Sequence, residues 1–338
     1  MKNLYKLALQ YQDIELWKTL WDNQIFAVKF SDGEIGYCCV MGAAGTFCGL
    51  AIYIGDEGIN SYLKISSGNF AELDETEIKF SQQCIMCSFA KPSQMNRTSQ
   101  LKTRTNLKNA GFDLKQIKSY PMFEKFLKYH LPTSNINEID KQHFVEAFYA
   151  CFEVDKKLKV KSIDELHLTD DKNLFGKTIP YLICRKDGNY TWRTKKLPED
   201  VFIDCYYAED YNPLLAQKIK NVKPMNNTWL CGIFRFHSTI KDLDGIPYFP
   251  LAQVLLDKES EFMYNMEICK FEEKEETIFP NKLLEVIREH GKPKKILLTG
   301  IRAAIIYNQL LTELGIDSEY QPNLKSINRI KLQLRNFK

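Results

Sequence analysis

A chain of 338 residues with 44% hydrophobic content is long enough for about two domains, each burying its own core, and argues against disorder over most of its length. Its 46 basic and 43 acidic residues nearly cancel, so a net +3 gives no global attraction to nucleic acid or to an anionic membrane. Any polyanion site must therefore be a local patch.

At the N-terminus the apolar run is broken at Gln10, Asp13 and Glu15, too early for a signal peptide. No run of 18 apolar residues occurs, so no membrane span is expected. The ten cysteines are read as reduced thiols, several on apolar strands where cysteine acts as a small hydrophobe. A cytoplasmic location is the expectation.

Leu4, Leu7, Ala8 and Tyr11 are spaced for one face of a first helix, and Leu16, Trp17 and Leu20 for a short second one. Three antiparallel strands follow over 23–30, 35–42 and 47–55, the first pair turning at Asp32-Gly33. Residues 56–67 read as a helix opened by Asp56 and Glu57, 84–91 as a strand, and 98–111 as a polar helix stopped by Gly111. From 140 to 159 an amphipathic helix carries Phe144, Ala147, Phe148, Cys151 and Phe152 on one stripe. Residues 160–226 are expected to connect two domains through a hairpin at 178–197 turning at Asp187-Gly188, followed by a helix from Pro213. Beyond Trp229 the order becomes β-β-β-α-β-α-β-α, which is that of the ribonuclease-H-like fold.

Glycines at 42, 45, 49, 55 and 58 invite a phosphate-binding reading, but that needs a strand-to-helix turn. The segment after Gly45 is β-patterned, so Gly42 and Gly45 are read as turn residues and Gly49 as a close approach of two backbones. Gly176, Lys177 and Thr178 copy the tail of a P-loop, yet Asp171 stands where its first glycine belongs and Pro180 precludes the following helix. Cys84 and Cys87 form a C-x-x-C with no second pair, on a strand that sends positions three apart to opposite faces. The five histidines are scattered, Cys48 is out of register for a nucleophile elbow, and Asp242 and Asp244 are read as an aspartate-rich turn. No cofactor and no metal site is expected.

Ribonuclease-H-like catalysis requires carboxylates that hold two divalent ions. The expected first strand offers Gly232, Ile233, Phe234 and Arg235, and the fourth ends at Leu298, Thr299 and Gly300. Only Glu285 and Glu289, on the intervening helix, are acidic. Nuclease activity is thus not expected.

Two basic stretches remain. Lys91, Arg97, Lys102, Arg104, Lys108, Lys115 and Lys118 face a single acid, Asp113, with Phe89, Phe112 and Tyr120 interspersed. The last helix carries Lys325, Arg329, Lys331 and Arg335, with Lys338 beyond them. Cations with interleaved aromatics suit backbone neutralisation and base stacking, although a run of charge is also what a solvated helix face presents. The first seven residues, with Arg329 and Arg335, are the candidate nucleic-acid contacts.

W-x-x-L-W at Trp17–Trp21, M-G-x-x-G at Met41–Gly45, Y-x-G-x-x-G at Tyr53–Gly58 and P-x-x-I at Pro293–Ile296 resemble an uncharacterised bacterial family that joins two domains of unknown function. The resemblance spans most of Leu16–Leu158 and Trp229–Asn336 and implies no catalytic residue. The expectation is an α+β domain with an antiparallel sheet over 1–159, a connecting segment over 160–226 and a ribonuclease-H-like α/β domain over 227–338. The expected function is non-catalytic binding or adaptor work toward a nucleic-acid or protein partner, with no membrane. The alternative is an enzyme whose site assembles in space, such as a degenerate metal-dependent nuclease.

Overall fold

The computed structural model describes residues 2–45, 47–67, 80–168, 171, 173–185, 188–200 and 205–335. The chain divides into two compact units. The first comprises Met1–Gly68, Ser81–Lys128 and Pro132–Phe202, and the second Asn69–Phe80, Tyr129–Leu131 and Ile203–Lys338.

In the first unit seven strands form one sheet: β1 (Phe26–Lys29), β2 (Ile35–Met41), β3 (Cys48–Ile54), β4 (Cys84–Ala90), β5 (Tyr120–Phe126), β6 (Thr178–Cys184) and β7 (Tyr190–Lys196), in the order β5-β4-β3-β2-β1-β6-β7. The period-two alternation of each strand divides its side chains between two cores. Cys38 and Val40 enter one cluster and Tyr37 and Cys39 the other. Helices α1 (Lys2–Ile14), α3 (Arg97–Asn109) and α4 (Glu138–Leu158) contribute to the first core, and α2 (Gly55–Ser66) to the second. Asn137 starts α4 by accepting from Asp140 N at 2.8 Å while Asp140 accepts from Asn137 N at 3.0 Å, a reciprocal cap that satisfies two end donors.

Two features differ from the sequence expectation. The sheet is mixed, because β6 pairs parallel to β1 with Lys29 opposite Ile183. The expected connecting segment is therefore divided. Its hairpin extends the first sheet, while α5 (Pro213–Lys220) buries Ala216 and Ile219 in the second unit. Apolar Ile179 and Leu182, both fully buried, give β6 its reason to enter the sheet. Asp187, assigned to the hairpin turn, lies outside the described residues.

The second unit carries a five-stranded sheet of β8 (Met225–Arg235), β11 (Leu251–Asp257), β12 (Met263–Cys269), β13 (Pro293–Thr299) and β14 (Asp317–Tyr320), in the order β12-β11-β8-β13-β14. Its first three strands are consecutive antiparallel neighbours, and β13 and β14 add in parallel. A two-residue pair, β9 (Ile240–Lys241) and β10 (Pro247–Tyr248), interrupts the first connection. Trp229, Cys231 and Ile233 face α5, α6 (Glu275–His290) and α7 (Ile301–Leu314). Leu230 and Phe234 face α8 (Lys325–Arg335) through Ile327 and Ile330. Among the described residues, no helix is long and apolar enough to cross a membrane.

Candidate functional site

The seven cations from Lys91 to Lys118 are all exposed. Helix α3 explains this: Thr103 and Leu107 are its buried residues, so the basic positions occupy the remaining circumference. Arg97, Arg104 and Lys108, at spacings of seven and four, share one side of the helix. Among the described residues none of the seven is in an ion pair, and Lys102 donates to Ser134 Oγ at 2.9 Å. Asn96 starts α3 by accepting from Ser99 N at 2.8 Å. The first turn of α3 therefore carries Arg97 with no acid to offset it.

The aromatics interspersed in this stretch do not join the basic surface. Phe89 and Phe112 pack against the first core and Tyr120 is buried within it. The surface can neutralise phosphates but offers none of these rings for stacking. Arg329 and Arg335 belong to α8, in the other unit. Arg329 is held in an ion pair by Glu261, whose carboxyl lies below its ordinary range because Ser326 and Arg329 donate to it. The side chain of Arg335 lies outside the described residues.

At the carboxyl ends of the parallel strands β8 and β13, where ribonuclease-H-like catalysis would need acids, the second unit places guanidinium groups. Arg235, 4% exposed, donates to the Phe249 carbonyl at 2.8 Å and sits 3.3 Å over the Tyr129 ring. Arg302, 6% exposed, is ion-paired with Glu275 and donates to Tyr129 Oη at 3.2 Å. Thr299 gives its hydroxyl to the Pro322 carbonyl at 3.1 Å. A carboxylate already paired with a guanidinium, with a second guanidinium on the same Tyr129 ring, is a poor ligand for a divalent ion. Glu285 and Glu289 are engaged by Lys282 and Arg288 on the outer side of α6. Glu275, with a side chain only 11% exposed, is an acid that the sequence analysis did not single out; it lies in the first turn of α6, ahead of Pro280. The acidic pair Glu275–Glu276 was the available signal for a helix start there.

Cys84 and Cys87 lie on opposite faces of β4, one in each core, and burial pushes both thiols far above their ordinary value. Among the described residues no group of three or more His, Cys, Asp or Glu is placed to hold a metal ion. Asp242 closes the expected turn, accepting from Ile246 N at 2.7 Å, and meets His130 Nε2 at 3.3 Å.

Residues 2–177 match the family described as Domain of unknown function (DUF7309), and residues 215–335 match Domain of unknown function (DUF6930). No curated protein matches. Similar solved structures include a chain of the simian T-cell lymphotropic virus intasome in complex with PP2A regulatory subunit B56 gamma, at 21% identity over 35% of this chain and 42% of that one, with a TM-score of 0.25. Another is the HTLV-2 integrase catalytic core domain in complex with magnesium in its dimeric form, at 18% identity over 32% of this chain and 66% of that one, with a TM-score of 0.24. This chain thus spans less than two thirds of either, and scores this low carry no weight for its activity. Because the first match takes in more than half of the 338 residues, the chain belongs to the DUF7309 family and joins two domains of unknown function.

Proposed function

We propose that this member of the DUF7309 family is a non-catalytic cytoplasmic binding protein, and that the surface formed by Lys91, Arg97, Lys102, Arg104, Lys108, Lys115 and Lys118 contacts the phosphate backbone of nucleic acid. The observation that carries the reading is a set of seven exposed cations with no ion-pair partner among the described residues, in a chain whose total charge is only +3. Such a surface releases condensed counterions when it meets a polyanion, so affinity is bound to fall steeply with salt. We assign the second unit to the ribonuclease-H-like fold on the order of its strands, with its strand-end acids replaced by Arg235 and Arg302. We also take the two units as the two domains, with their boundary near residue 203.

Titration with short duplex DNA and RNA at 50 and 200 mM salt tests this. Binding at the lower salt that weakens by about 10³-fold or more at the higher supports six or more phosphate contacts. Absence of binding at 50 mM salt reduces the surface to a solvated face.

A further inference from the structure

A groove of about 1060 Å³ opens in the first unit where β1 and β6 end, beside α4. Its position follows from the topology. β1 and β6 run parallel as neighbours, but the chain leaves β1 toward β2 and leaves β6 toward β7. The two connections diverge and leave a crevice outside the carboxyl ends of the parallel pair, which is where open mixed sheets hold their ligands. One wall is a stripe of α4 from Gln142 through Glu146, Tyr149 and Glu153 to Lys157. At 1.5 Å per residue that stripe is about 22 Å long. A smaller groove of about 350 Å³, lined by Trp192 and Arg193 of β7, shares Lys157 with it.

The lining combines rings with cations. Tyr149 is 47% exposed, whereas Phe152 and Tyr190 are half-buried and pack against the first core, as does Phe30, whose ring is stacked on His143 at 4.3 Å. The cations are Lys29, Lys156, Lys157 and Arg185, none of them in an ion pair among the described residues. The two acids are occupied by neutral donors. Glu146 accepts from Ser31 N at 2.8 Å and from Ser31 Oγ at 2.6 Å, and Glu153 accepts from Trp192 Nε1 at 3.4 Å. These donors leave both carboxylates charged, so the groove carries four cations against two acids, an excess of two positive charges with no ion pair joining the two sets among the described residues.

We infer that this groove binds a segment of single-stranded nucleic acid, with a base against the exposed Tyr149 ring and phosphates at Lys29, Lys156, Lys157 and Arg185. Rings and cations side by side are the recognition chemistry of a single strand, whose bases are free to stack. A duplex hides its bases and would engage the ring-poor surface of α3 instead. A wall of about 22 Å accommodates about six nucleotides at 3.4 Å each, which argues for a strand rather than a mononucleotide.

The test uses the full chain and fluorescence anisotropy with labelled eight-nucleotide oligo-dT and oligo-rU, set against a duplex and against AMP as competitor. Three variants are compared: Tyr149→Ala; Lys156→Glu with Arg185→Glu; and Arg97→Glu with Lys102→Glu and Arg104→Glu on α3. All the substituted side chains except Tyr149 are exposed charges, and circular dichroism establishes that each variant folds. Expected are a loss of single-strand affinity of about tenfold for Tyr149→Ala, and a salt slope shallower by about 1.4 for the groove double reversal. Single-strand binding should be retained by the α3 variant. The inference is overturned if both groove variants bind single strands as the parent does, if duplex or AMP displaces the oligomer as well as a single strand does, or if the parent chain binds no single strand.

Discussion

Gly49 has a defined steric reason to be glycine. A Cβ built there would stand 2.5 Å from the Cys87 carbonyl oxygen of β4, and the Gly49 carbonyl accepts from Tyr11 Oη at 3.1 Å. Neither backbone can retreat without breaking the β3–β4 ladder, so Gly49→Ala is expected to destabilise the protein by about 1–3 kcal/mol. An unchanged denaturation midpoint would contradict this. The same glycine illustrates what single residues disclose in advance: a glycine amid β-branched and aromatic neighbours signals close backbone approach, and the positive φ of Gly42 and Gly45 fits their reading as turn residues. Asp32 is different, since nothing in its sequence context names a partner 111 residues away. Burial pushes its carboxyl up, but donation from His143 at 2.7 Å and from Glu34 N outweighs this and leaves it below its ordinary value. A depressed carboxyl stabilises the fold above its unfolded value, roughly pH 4, and that contribution is lost as pH falls through the lower folded value. Asp32→Asn should therefore lower the urea midpoint at pH 7, and the gap from the parent should narrow as the pH falls below 4. A gap independent of pH would show that the charge is not the cause.

Strand β4 shows how an element sets cysteine chemistry. Alternation sends Cys84 and Cys87 to different cores, so neither can join the other around an ion. Of the ten thiols, Cys184 alone is exposed, and Cys48 and Cys205 are intermediate. Native protein treated with a thiol reagent should react rapidly at about one cysteine and more slowly at two others, whereas protein unfolded without reductant should titrate all ten. Fewer than ten in the unfolded state, or stoichiometric zinc, would overturn this account of the thiols. α1 and α4 were legible because their apolar spacing matches one geometry only, and β2 because tight turns bound its short apolar run. Two features were not. β5 contains Pro121, which discourages a strand reading, and it stands where proline is tolerated, at the sheet edge. The start of α6 was hidden by Pro280, which reads as a helix beginning although five helical residues precede it.

At the scale of the whole chain, what sequence could not disclose is what comes together from distant segments. The basic surface of α3 was visible because its seven cations lie within 28 consecutive residues. The groove beside α4 was not, because it draws on β1, α4, β6 and β7, and its cations are diluted by acids in each segment taken alone. The parallel seating of β6 against β1 is a tertiary event, and with it came the division of the expected connecting segment between two units. We propose that a local cationic surface, not the net charge, engages nucleic acid. The direct measurement is the slope of log affinity against log salt for a short duplex, in the parent and in the chain carrying Arg97→Glu, Lys102→Glu and Arg104→Glu. These exposed changes should leave stability within about 0.5 kcal/mol. Loss of three phosphate contacts predicts a slope shallower by about 2.7, with weaker binding at low salt. An unchanged slope and affinity would contradict the assignment.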